Sequence, residues 1–284
     1  MIVVLGATGR VGSAVVKKLL EYGQPVRAVV RNGAKAAELK ERSVDVEVAD
    51  FFDLGALKRA FRGAKAVFLL TPENPASEDF LGDTRIVLQN YREAIQVAGV
   101  GRIVGLSSFG AQHSGGTGNL EASYMLEHAF AELDAEQTFV RATYYYSNWM
   151  GYWDLARESG VLPTFFPTDM KIPMISPADV GAFIADLLAG KRERKPMMEI
   201  AGPESYSPDD VAGEFRKALG RPVAASQIPR NEWLPVLEGA GFSASGAKNL
   251  ALMTDAVLAG KTGAEGAVQY TDTTFPKYLR EECE

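Results

Sequence analysis

The chain is nearly without cysteine. Its 284 residues contain one, Cys283, so no internal disulfide can form, and a reducing, cytoplasmic setting is expected. Histidine is almost as scarce. His113 and His128 stand apart, with no metal-ligand spacing around them, and no metal is expected. Positive charge is in deficit: a net charge of −6 argues against a nucleic-acid surface. No apolar run approaches the roughly 18 residues of a membrane-spanning helix, so no membrane role is expected. No basic segment precedes the first apolar run, which starts at residue 2, so no signal peptide is expected either. Internal repeats and low-complexity linkers are missing too. With 46% hydrophobic and 23% charged residues, the composition is that of an ordinary globular protein, large enough for a sizeable core and a small second lobe.

What the chain does have is concentrated near its start. Met1-Ile2-Val3-Val4-Leu5 is an apolar run of the kind a buried parallel strand shows. It leads into Gly6-Ala7-Thr8-Gly9-Arg10-Val11-Gly12. Val11, Val15 and Leu19 then recur at helical spacing, and a second apolar run, Val26 to Val30, stops at Arg31-Asn32. Strand, glycine-rich turn, helix and strand make the frame of a dinucleotide-binding βαβ unit. Gly6 permits the tight turn, Gly9 lets a pyrophosphate approach the backbone, and Gly12 lets the helix pack closely. The free N–H groups of Arg10, Val11 and Gly12, with the hydroxyl of Thr8 beside them, and the helix dipole favour the anion.

The end of the second strand selects the cofactor. An NAD site places an acid there, about 20 residues after the turn, to hold the ribose 2′-hydroxyl. Here the position is Arg31, with Lys35 four residues on. A guanidinium binds a 2′-phosphate through charge-assisted hydrogen bonds, where a carboxylate repels it. Each such bond is worth about 1.5–3 kcal/mol, which predicts a preference for NADP(H) of roughly ten- to a hundred-fold.

The spacing Gly-x-x-Gly-x-x-Gly resembles that of atypical and extended short-chain dehydrogenases/reductases, and the turn itself resembles the NmrA-like family. Ile175-Ser176-Pro177-Ala178-Asp179-Val180, Ile200-Ala201-Gly202-Pro203-Glu204 and Leu219-Gly220-Arg221-Pro222-Val223 are similar to later segments of that family. The likeness runs from residue 1 to about residue 260. It implies NADP binding on a Rossmann fold. Family members include quinone reductases, azo- and triphenylmethane-dye reductases, and non-catalytic redox-sensing regulators.

Strand and helix patterns alternate after the first unit: Val44 to Val48, a helix from Leu54 capped by Asp53, Ala66 to Leu70, a long helix from Asp79 to Ala98, Ile103 to Leu106, a helix carrying Leu126 to Leu133, Thr138 to Arg141, a helix opened by Pro177, and Met197 to Ala201. This order predicts an α/β fold: a Rossmann, doubly wound parallel sheet with a smaller, mainly helical C-terminal lobe. Residues 1–160 are expected to form the nucleotide domain, with 174–201 returning to it. Residues 161–173 and 202–284 are expected to form the lobe, whose helices do not extend the sheet.

Ligands of such folds gather at the carboxyl ends of the strands. Asp50 and Phe51 are expected beside the adenine, Leu70, Thr71 and Pro72 along the ribose and pyrophosphate, and Ser107 and Ser108 near the nicotinamide ribose. Tyr144, Tyr146 and Asn148 are expected to close over the nicotinamide. Tyr144, Tyr145, Trp149, Phe165 and Phe166 suit a flat apolar acceptor. The best-known short-chain dehydrogenases use Tyr-x-x-x-Lys on the helix after the serine pair. Here Tyr124 is followed at that spacing by His128, and Ser123 stands where many NmrA-like members carry lysine. Tyr124 and His128 are thus weak catalytic candidates. Two readings remain: an NADPH-dependent reductase of a quinone, dye or other small aromatic acceptor, and a non-catalytic NADP(H) sensor acting through a regulatory protein partner. Either is compatible with a homodimer.

Overall fold

The computed structural model describes residues 1–33, 39 and 44–283. Lys35 lies outside the described residues. An eight-stranded sheet runs through the molecule in the order β13-β10-β6-β5-β4-β1-β2-β3, parallel throughout. The strands are β1 (Ile2–Val4), β2 (Val26–Val30), β3 (Asp45–Val48), β4 (Ala66–Leu69), β5 (Arg102–Ser108), β6 (Glu136–Ala142), β10 (Met197–Ala201) and β13 (Val268–Tyr270). The order reverses between β1 and β4, where open α/β sheets bind their ligands.

Side chains of a strand alternate between its two faces, and the two cores follow that alternation. Ile2, Val4, Ala28 and Val30 face one layer, built on α1 (Arg10–Glu21) and α7 (Pro177–Leu188). Val3, Leu5 and Val29 face the other, built on α2 (Leu54–Phe61), α3 (Phe80–Ala98) and α4 (Leu120–His128). In the first layer α1 and α7 touch along Gly181, where an added Cβ would lie 2.5 Å from the Ala14 Cβ.

A third core holds the lobe together. Tyr146, Trp149, Phe166, Met174, Phe215 and Phe275 are buried in it. Its elements are β7 (Tyr144–Tyr145), α5 (Ser147–Met150), α6 (Trp153–Ser159), β8 (Val161–Thr164), β9 (Ile172–Ile175), β11 (Ser205–Tyr206), α8 (Pro208–Leu219), β12 (Ala224–Gln227), α9 (Trp233–Gly239), α10 (Ala244–Leu258) and α11 (Phe275–Cys283). Two small sheets, β11-β9-β7 and β12-β8, cross it.

Two expectations need correction. The C-terminal third does extend the main sheet: β13 pairs parallel with β10, Ile200 opposite Gln269. Three residues, Val-Gln-Tyr, give too short a pattern to read as a strand. The helix expected through Leu133 ends at His128, and Phe130 is buried from a turn instead.

Candidate functional site

The three turn glycines have different reasons to lack a side chain. Gly6 sits at φ +59°, and a Cβ there would lie 2.7 Å from Leu70 Cδ2. At Gly12 a Cβ would stand 2.1 Å from the Gly6 carbonyl oxygen, so this glycine closes the turn onto the helix. Gly9 has an ordinary φ of −82°, and a Cβ there would meet only the Gly6 oxygen, at 3.2 Å. The protein itself barely fills the space at Gly9, which leaves it to a ligand.

Helix α1 also begins unlike the other long helices. Asp79, Ser176, Ser207 and Ser243 each cap a helix by accepting a backbone N–H, and Ser207 and Asp210 complete a capping box. Gly9 offers α1 no side-chain cap, and the first turn has no acid. The amides at the start of α1 therefore point at open space with a positive dipole behind them, the arrangement a pyrophosphate fits. Thr8 is half-buried in the turn, Arg10 is exposed, and Val11 is buried, so Val11 can contribute only its backbone.

Arg31 is exposed at the end of β2. Asp50 is exposed after β3, with its Oδ1 accepting the Phe52 N–H at 2.9 Å. Behind them Tyr91 is fully buried and donates to the Leu70 carbonyl at 3.3 Å. Burial pushes the Tyr91 phenol well above its ordinary range, with Arg31 lowering it and Asp50 raising it. Both charges therefore flank one end of the cleft, where an adenosine 2′-phosphate and the adenine amino group would need them. Leu70, Thr71 and Pro72 are half-buried after β4, Leu70 against Gly6.

Three expected ligand residues point elsewhere. Phe51 is buried, edge-on to Tyr91 at 5.7 Å between centroids, and its exposed neighbour is Phe52. Tyr146 is fully buried and donates to the Thr273 carbonyl at 3.1 Å, so it belongs to the core of the lobe. Ser107 is buried with its Oγ donating to Glu127 Oε1 at 2.5 Å, which leaves no hydroxyl for a ribose or an acceptor. Ser108, half-buried, donates to the Phe109 carbonyl at 3.1 Å. The aromatic wall also thins. Trp149 and Phe166 are buried, Trp149 against the Met174 sulfur, and Phe165 packs on Trp233. Tyr144 and Tyr145 remain half-exposed, with Asn148 exposed beside Tyr144. Burial raises both phenols, while an Asn148 hydrogen bond lowers Tyr144 and the Glu73 carboxylate raises Tyr145 further.

Glu73 escaped the sequence reading. It follows Pro72 in the mouth of the cleft, open to solvent on one side and surrounded by protein elsewhere, and the resulting desolvation raises its pKa. A buried ion cluster escaped it as well. Arg141 binds Glu127 through two 2.8 Å hydrogen bonds and Glu265 through one at 2.7 Å, with Glu199 3.7 Å away. Glu199 accepts the Glu265 and Gly266 N–H groups. A lone arginine inside the apolar run Thr-Phe-Val-Arg-Ala was the available signal.

Tyr124 and His128 are stacked, 4.1 Å between ring centroids, and His128 Nδ1 bonds the Tyr124 carbonyl oxygen at 2.8 Å. The imidazole thus serves the helix backbone, and it does not polarise the phenol.

The substrate half of the cleft is roofed by α10, clamped from two sides. A Cβ at Gly246 would lie 2.3 Å from the Pro75 carbonyl oxygen, and Ser243 bonds both Pro75 and Ser77. A Cβ at Gly118, at φ +58°, would lie 1.9 Å from the Asn249 carbonyl oxygen. His113 and Gln112 reach the carbonyls of Lys261 and Gly263. The loops after β4 and β5 are thereby fastened to the lobe.

A nucleotide-binding α/β fold with an uncapped glycine turn at its switch point is what the geometry defines. The sequence profile of the NmrA-like family matches residues 1–269, and the chain belongs to that family. It is 30% identical over 231 residues to a (4-alkanoyl-5-oxo-2,5-dihydrofuran-3-yl)methyl phosphate reductase of Streptomyces griseus, a match covering 80% of this chain and 77% of that one. It is 28% identical over 246 residues to an NAD(P)H azoreductase of Xenophilus azovorans, covering 86% and 83%. The NADPH complex of the Escherichia coli quinone oxidoreductase QOR2 superposes with a TM-score of 0.83 at 25% identity, covering all of both chains.

Proposed function

We propose that the protein is an NADPH-dependent reductase of a small, flat aromatic acceptor, a quinone or an azo or related dye. The observation that carries the cofactor half is the uncapped, acid-free start of α1 beside the open Gly9, with Arg31 at the end of β2. The reductase half rests on kinship with the azoreductase and the quinone oxidoreductase. Bound NADPH supplies the hydride. The residues of this chain bind and orient: the α1 amides hold the pyrophosphate, Arg31 the 2′-phosphate and Asp50 the adenine amino group. Tyr144 and Tyr145 offer ring faces to the acceptor, and the clamped α10 restricts water. The acceptor takes its proton from solvent, because Tyr124 lacks a lysine partner and the Ser107 hydroxyl is already committed. That same want of a proton relay favours the second reading, an NADP(H) sensor with a protein partner.

One experiment separates the two. Purified protein is mixed with NADPH and a panel of quinones and dyes, and absorbance at the reduced nicotinamide band is followed. Oxidation dependent on the acceptor supports the reductase. Tight binding with no turnover across the panel supports the sensor. In the reductase, Tyr124→Phe is expected to keep most of the rate; a loss on the order of a thousand-fold, typical of an essential acid–base group, would restore Tyr124 as proton donor.

A further inference from the structure

On the outer side of α1, away from the sheet, Arg10, Ser13 and Lys17 share one face at spacings of three and seven residues. The start of α7 and the face of α11 carrying Tyr278 and Glu282 close the other sides, leaving a cleft of about 410 Å³. Two cations and one acid line it. Arg10 reaches Glu282 at only 3.5 Å, with both side chains exposed, and Lys17 has no ion pair among the described residues. Asp179, nearby at the start of α7, is occupied by Thr273, whose N–H and hydroxyl both bond its carboxylate.

The second observation is Tyr278. It is 4% exposed, lines the cleft, and its hydroxyl has no hydrogen-bond partner. Glu282 and Arg10 stand close to that hydroxyl, yet neither completes a hydrogen bond with it. Buried hydroxyls are nearly always paired, by protein or by something bound. Burial, helped by the Glu282 charge, pushes the phenol up to about 12, so it is a proton-bearing donor at neutral pH.

We infer that this cleft is an anion-binding site, distinct from the cofactor turn, for a phosphate group, either free or as a small phosphomonoester. The donors present are a guanidinium, an ammonium and two hydroxyls. A tetrahedral phosphate offers enough oxygens to accept from all of them, whereas a carboxylate offers two. Arg10 turns from its long contact with Glu282 to the ligand, and Tyr278 gains the partner it lacks. The site and the cofactor turn adjoin through Arg10, the first residue of α1.

The test is calorimetric titration of the full chain with inorganic phosphate and, separately, phenyl phosphate, in chloride buffer without NADPH. Saturable binding of one phosphate per chain is expected. Tyr278→Phe, which removes only the hydroxyl, and Lys17→Met should each weaken it by roughly ten-fold, the scale of one hydrogen bond to a charged group. Gly9→Val should leave it unchanged, because the cofactor turn is a separate site. Tighter binding of phenyl phosphate marks a phosphomonoester site, and equal or weaker binding marks a site for free phosphate. No saturation at millimolar phosphate overturns the inference. So does loss of binding in Gly9→Val with none in Tyr278→Phe or Lys17→Met, which places the phosphate on the cofactor turn. Neither outcome touches the reductase reading, whose assay uses NADPH and an acceptor.

Discussion

The two ends of the cleft are built on opposite plans. The nucleotide end is made of backbone: three glycines, bare helix amides and two exposed charges, Arg31 and Asp50. Little there is packed, so a ligand supplies the missing contacts. The acceptor end is made of tertiary packing. Gly118 and Gly246 lie against backbone carbonyls of distant segments, and Ser243 ties two loops together. Glycine thus serves at one end to admit a ligand and at the other to let protein meet protein. A substitution should therefore cost binding at the first and stability at the second.

The sharpest way to break this contrast is to substitute one glycine of each kind. Gly118→Ala places a methyl 1.9 Å from the Asn249 carbonyl oxygen at a positive φ. It is expected to cost about 3 kcal/mol or more of stability in urea unfolding, with NADPH affinity kept in the fraction that folds. Gly9→Val is expected to do the reverse, with a near wild-type unfolding midpoint and NADPH affinity down on the order of a hundred-fold. If Gly9→Val unfolds the protein or Gly118→Ala abolishes binding in folded material, the two ends are not separate in kind.

A milder change sharpens the nucleotide end. Arg31→Ala is expected to weaken NADPH binding roughly ten- to a hundred-fold and to leave NADH binding nearly unchanged. Parallel calorimetric titrations check it, and an equal loss for both cofactors would move the 2′-phosphate site elsewhere.

The same division explains what could be read from the sequence. The nucleotide end is local. One unbroken segment, residues 1–31, carries the strand, turn, helix and cofactor-selecting arginine, and each residue acts through its own backbone or an exposed charge. The strand order and layering followed from alternating apolar runs. Which members of an aromatic cluster face a cleft is not local. Tyr144, Tyr145 and Tyr146 are consecutive, yet Tyr146 is sealed under Tyr206 and Phe275 while its neighbours stay half-open. Ser107 looked like a site residue by position, but Glu127, twenty residues on, takes its hydroxyl. The Arg141 cluster draws its acids from residues 127, 199 and 265, a combination no sequence spacing announces.

The smallest expected effect lies between the two ends, at Glu73. Desolvation raises its pKa, so the ionised form is the costly one in the folded chain. Below about pH 4 the carboxyl is neutral whether folded or unfolded, and it costs nothing. As pH rises past the ordinary glutamate value and through the raised folded value, the cost sets in and stability falls. Glu73→Gln should therefore stabilise the protein at pH 8 and not at pH 4, by at most a few tenths of a kcal/mol because solvent reaches one side. Unfolding midpoints at the two pH values check the sign, and an equal gain at both would discount the charge.

The last strand of the main sheet also sets an order of assembly. β10 ends at residue 201, but its outer neighbour, β13, is not made until residues 268–270. During synthesis the whole lobe emerges while the outer edge of β10 stands bare, its N–H and C=O groups open to any passing strand. Only the arrival of three residues near the end of the chain covers that edge. A nascent or truncated chain that stops short of them carries a finished cofactor turn and an unguarded edge, able to bind nucleotide and at risk of joining its own copies.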